Sequence, residues 1–95
     1  MIRLTVSYPS SPDATFDHEY YRDVHVPLCL RAWGLDEAEI DHGITGPNVA
    51  AVHARFPSVE ALQSAMSGEL SAQVIADVAN YTSIDPVLQI SEIVG

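Results

Sequence analysis

Ile2, Leu4, Val6 and Tyr8 alternate with Arg3, Thr5 and Ser7, a period-two pattern that argues for a half-buried strand. Much of the remaining chain must then supply a cover for the apolar side of that strand. Pro9 to Asp13 reads as a loop from its prolines and small polar residues. Asp17 is a suitable cap for a helix running from about Asp17 to Ala32, with Glu19 in its first turn and Gly34 as its stop. Alternation returns over residues 36 to 44, with Ala38, Ile40, His42 and Ile44 on one side. Thr45 to Asn48 forms a turn, and Val49 to Phe56 a third strand, completing a hairpin. Ser58 caps a second helix that buries Val59, Leu62 and Met66, and Gly68 interrupts it. A short helix over residues 71 to 79 and a loop from Asn80 to Pro86 lead to a last strand, Val87 to Val94.

This order, β-α-β-β-α-β, predicts an α+β fold of the ferredoxin-like, split βαβ kind: a four-stranded antiparallel sheet with helices on one face. All 95 residues fit a single domain, 1 to 95. The uncovered sheet face is expected to carry Val, Leu and Ile side chains, and burying it predicts a homodimer packed sheet to sheet.

Within the first helix, Tyr21 and His25 stand four residues apart, on one face, with Pro27 two residues further on. Pro27 has no N–H and its ring crowds the preceding turn, so the helix should kink or end there. A carbonyl near His25 then loses its partner. Two readings stay open: a core pair with satisfied hydrogen bonds, or a pocket wall bearing a phenol and an imidazole.

The segment Asp17, Tyr20, Tyr21, His25, Pro27, Leu28 resembles the signature of the EthD family, named for ethyl tert-butyl ether degradation, in the dimeric α/β-barrel superfamily. The resemblance continues in Met1 to Pro9, Phe56 to Leu62, Asp77 to Thr82 and Pro86 to Val94, in the family's order. Residues 33 to 48 are the least family-like and are placed at a pocket rim. The resemblance implies a dimeric α/β barrel with a ligand cleft between helices and sheet. His25 would face that cleft, and Tyr21 would share it.

Composition removes several function classes. The formal charge is −9, from 13 acidic residues against four arginines, with no lysine. Nucleic acid and anionic membranes both require a basic footprint that is missing here. Without lysine, no side chain can form a Schiff base with a carbonyl substrate. No apolar run approaches the roughly 18 residues of a membrane span, and no signal peptide is visible. One cysteine, Cys29, allows no internal disulfide, and a cytoplasmic location is expected.

Chemistry then rests on few groups. No phosphate-binding loop or Cys-x-x-Cys occurs. His18 and His25 lie seven residues apart, about 10 Å along a helix, too far to share one metal ion. His42 and His53 flank the hairpin and are expected to face each other as a cross-strand pair. No metal site and no cofactor are expected. Cys29 reads as a small buried hydrophobe, or as a nucleophile if a neighbour lowers its pKa. Trp33 and Tyr81 line an aromatic pocket or simply pack; Asp77 and Asn80 cap and brace the second helix's end, with Asn80 also matching the family's Asn-Tyr-Thr stretch.

The expected function is a cofactor-independent enzyme, of cyclase, isomerase or monooxygenase-like type, acting on a hydrophobic oxygenated or aromatic small molecule. His25 would move the proton and Tyr21 would stabilise an oxyanion. Tyr21, His25, Trp33, Asn80 and Tyr81 would bind the substrate. The alternative is a non-catalytic accessory protein that holds a pathway intermediate or a partner enzyme.

Overall fold

The computed structural model describes residues 1–95. Four strands form one antiparallel sheet in the order β2-β3-β1-β4: β1 (Ile2–Pro9), β2 (Glu39–His42), β3 (Asn48–Phe56) and β4 (Val87–Glu92). The two central strands, β1 and β3, carry the densest apolar alternation and are covered by helices. The β-α-β-β-α-β order and the antiparallel ferredoxin-like sheet agree with the sequence reading.

The first crossover is one helical run in three parts: α1 (His18–Tyr20), a π-helical stretch (Tyr21–His25) and α2 (Val26–Trp33). Asp17 caps it by accepting a bond from the Tyr20 N–H, and Gly34 ends it with φ 69°. The predicted disturbance at Pro27 takes a definite form. The Val26 N–H reaches back to the Tyr21 carbonyl, five residues away, and widens the helix one residue before the proline. Such widened turns frequently occur at functional sites. The second crossover comprises α3 (Val59–Met66), capped by the Ser58 hydroxyl, then α4 (Ser71–Asp77) and a 3₁₀ turn (Val78–Asn80).

Leu4, Val6 and Tyr8 of β1 and Val52, Ala54 and Phe56 of β3 face the helices and build the core with Val26, Leu62 and Tyr81. Each fully buried aliphatic or aromatic side chain of this kind contributes roughly 1.5–3 kcal/mol.

Three expectations need correction. The uncovered sheet face is polar. Strand register places Arg3, Thr5, Ser7, His53, Arg55 and Gln89 on that side, because every second residue of β1 and β3 has already given its apolar side chain to the core. Val87, opposite Ser7, is an exposed apolar exception there, and the rest of β4's exposed apolar surface lies on the other side. Leu88 and Ile90 pair with Val6 and Leu4, on the helix side, yet stand 51% and 52% exposed because the helices do not reach over β4.

The second strand is also shorter than residues 36 to 44, spanning only Glu39–His42, and Ile44 lies in solvent. A Cβ at Gly43 would collide with the Asn48 carbonyl, so the hairpin closes through that glycine. Finally, His42 and His53 do not face one another. His42 pairs with Ala50 and His53 with Glu39, which puts them on opposite faces. His42 instead stacks on His18, with ring centroids 3.6 Å apart. His53 bridges Asp41 at 2.8 Å and Thr5 at 3.1 Å on the polar face.

Candidate functional site

The incomplete cover over β4 leaves a cavity of about 440 Å³ between the helices and the sheet. Leu4, Val6, Tyr8 and Val52 form its floor, α2 supplies Cys29 and Trp33, and α4 supplies Val74 and Ile75. Eleven of the fifteen lining residues are hydrophobic, so a polar group on this wall acts in a largely dehydrated setting.

His25 is the buried polar group on that wall, 3% exposed. Its Nδ1 lies 2.9 Å from Asp77 Oδ2. Asp77 comes from the end of α4, 52 residues away in sequence, and is itself 12% exposed. The Tyr20 hydroxyl donates to Asp77 Oδ1 at 2.6 Å, and the Asn80 side-chain amide donates to the same oxygen at 2.9 Å. Burial pushes the Asp77 carboxyl up, but the bonds from Tyr20, Asn80 and His25 together hold it below its usual range. The carboxylate is therefore ionised and acceptor-only, which assigns the proton to Nδ1 of His25 and the lone pair to Nε2. Nε2 has no protein partner. Only the Tyr21 hydroxyl is both fully buried and unpaired, so Nε2 keeps access to the cavity.

Burial lowers the His25 pKa, and the bond and charge of Asp77 oppose this without cancelling it. The imidazole is neutral at neutral pH, the protonation state of a general base. Cys29 shares the wall, but burial pushes its thiol up to about 12, which makes it a poor nucleophile.

The other residues singled out in the sequence fall in three places. Trp33 lines the cavity and packs edge-on against Phe56. Tyr21 and Tyr81 lie behind the wall. Tyr21 is wedged edge-to-face against Tyr8 and Phe16, with centroids 5.2 and 5.1 Å away. Its ring stacks on the imidazole at 5.7 Å, and its hydroxyl is sealed from the cavity with no bonding partner. Tyr81 bonds Tyr8 through the two hydroxyls at 2.8 Å, and its ring lies 4.4 Å from that of His25. Burial raises both phenols well above their ordinary pKa, so they stay protonated. Asn80 is exposed, off the cavity wall, and reaches the site only through Asp77.

Sequence reasoning gave Asp77 a capping role and overlooked Tyr8 and Asp85, which also line the cavity. A signal for Asp77 did exist. An anion at a helix C-terminus opposes the helix dipole and needs compensation from elsewhere. Here three donors supply it. No group of three or more His, Cys, Asp or Glu side chains is arranged to hold a metal ion.

No family model matches the chain, and no curated protein does. Solved structures do. An EthD family protein from Bacillus halodurans C-125 shares 20% identity at a TM-score of 0.79, with 99% of both chains covered. An antibiotic biosynthesis monooxygenase shares 12% at a TM-score of 0.61, with both chains fully covered. At those identities the likeness is one of fold. An EthD-like protein from Ralstonia eutropha JMP134 is much nearer, at 37% identity and a TM-score of 0.89, over 99% of this chain and 92% of that one. Similarity at that level over nearly its whole length means that the chain belongs to the EthD-like family.

Proposed function

We propose that this protein is a cofactor-independent acid–base enzyme that takes a proton from a hydrophobic, oxygenated small molecule bound between helices and sheet. One observation carries the reading: a neutral, buried imidazole is oriented through Nδ1 by Asp77 and presents an unpaired Nε2 to an apolar cavity. A base needs a free lone pair, a fixed direction and a pKa near the working pH. Asp77 supplies direction and stabilises the imidazolium formed during transfer, and Tyr20 and Asn80 hold Asp77. Trp33 and the aliphatic wall exclude water from the charged step. Tyr21 positions the imidazole by stacking. Tyr8 gives the cavity wall its ring, while its hydroxyl is tied to that of Tyr81. Enolisation, cyclisation and isomerisation all begin with this transfer, and a monooxygenase-like reaction of an enolisable aromatic does as well. The same cavity would serve a non-catalytic binder of a pathway intermediate, and turnover separates the two.

The test is proton abstraction from 5-nitrobenzisoxazole, a neutral aromatic whose ring opening gives a coloured phenolate. Wild type should turn it over at least about a hundredfold faster than His25→Ala, the usual scale for one positioned base. Equal rates in the two proteins, with both folded, would reject His25 as the base and leave only the binding role.

A further inference from the structure

The cavity has a feature that the base alone does not require: every formal charge on or directly behind its wall is negative. Asp85 stands at the mouth, exposed, among the lining residues. Pro86 follows it and also lines the cavity. A residue before proline is confined to extended backbone, so Asp85 is held on a stiff segment. Asp77 lies behind His25, ionised, with both oxygens already engaged. No arginine reaches the wall. Arg3 and Arg55 lie on the far face of the sheet, Arg22 is paired with Asp23 at 2.7 Å, and Arg31 is exposed near the end of α2. A carboxylate, sulfonate or phosphate entering here would lose its water without gaining a cation, beneath a fixed negative charge.

We propose that the cavity selects uncharged ligands and that Asp85 is the residue that turns anions away at its mouth. This deepens the reading of the site as a small-molecule cavity and excludes acids, phosphate esters and carrier-linked thioesters whose phosphates must enter. The substrate class becomes a neutral apolar body carrying a carbonyl, phenol or ether oxygen. Such a molecule acquires negative charge only when the buried His25 takes its proton. The mouth then also favours departure of any product that leaves as an anion.

Two dyes of one skeleton provide the probe: neutral N-phenyl-1-naphthylamine and its 8-sulfonate. Both brighten in apolar surroundings, and titrating each against the native protein gives a ratio of dissociation constants. Wild type should bind the neutral dye at least about tenfold more tightly, the order expected for an uncompensated like charge in a partly dehydrated mouth. Asp85→Asn should narrow the ratio severalfold, and Asp85→Arg should bring the sulfonate to parity or better; residue 85 is exposed, so both variants should fold. Equal binding of the two dyes by wild type overturns the proposal. A ratio that does not move in either variant removes Asp85 from it, and failure of both dyes to bind overturns the cavity as a ligand site. The ratio reads ligand charge without turnover, so its failure and the failure of His25 as a base are separate results.

Discussion

Asp77→Ala tests whether the carboxylate orients the imidazole. Removing the carboxyl takes away the acceptor for Nδ1–H of a histidine that is 3% exposed. A buried donor left unpaired costs about 1–3 kcal/mol. In a domain of this size each kcal/mol lowers Tm by roughly 4–8 °C, so a midpoint about 8–16 °C lower follows from a central cost of about 2 kcal/mol. The donors from Tyr20 and Asn80 sit nearer water and add little. A second consequence is specific to orientation. Without Asp77 nothing holds the proton on Nδ1, and the tautomer with the proton on Nε2 gains population. That tautomer offers the cavity a donor in place of a lone pair. Thermal melts measure the first effect, and nitrogen-15 shifts of the His25 ring measure the second. Proton abstraction should fall along with the Nδ1-protonated fraction. A variant that melts within about 2 °C of wild type and keeps its Nδ1 proton would show that Asp77 neither stabilises nor orients the imidazole.

Stability should fall on acidification from pH 7 to pH 5. The folded pKa of His25 lies below the ordinary imidazole value of 6.5, mainly through burial, and that of His18 does too, through burial and the neighbouring His42. The unfolded chain therefore binds more protons in this window, and the stability present above pH 6.5 is lost as pH drops towards the folded values. Asp77, also held low, extends the loss into the carboxylate range. His25→Gln should flatten the first part of the profile, and an unchanged slope would count against His25 as its source. Cys29 should resist Ellman's reagent at pH 8 in the native protein and react on unfolding, since a thiol near 12 that is 2% exposed holds only about one part in ten thousand as thiolate. A homodimer is still expected, with the apolar surplus at Leu88 and Ile90 as its source, and a stable monomer at micromolar concentration in sedimentation would remove it.

The order of elements, the strand alternation that builds the core, the caps at Asp17 and Ser58, the stop at Gly34 and the break before Pro27 are all written in local sequence. These depend on neighbours within about one helical turn or one strand, and local propensity and periodicity encode them. The sequence also singles out His25, because a histidine beside a proline-disturbed turn is a local anomaly. What surrounds that histidine comes from the packing of distant elements. Asp77 is 52 residues away, and no periodicity pairs the two. Tyr21 shares a helix face with His25, yet a cluster of Tyr8, Phe16 and Tyr81 from other elements seals it behind the wall. The polar character of the open sheet face depended on register, which a single strand's sequence leaves unset. The cavity itself arises from a mismatch in extent, helices too few to cover β4, and that is a property of the assembled layers.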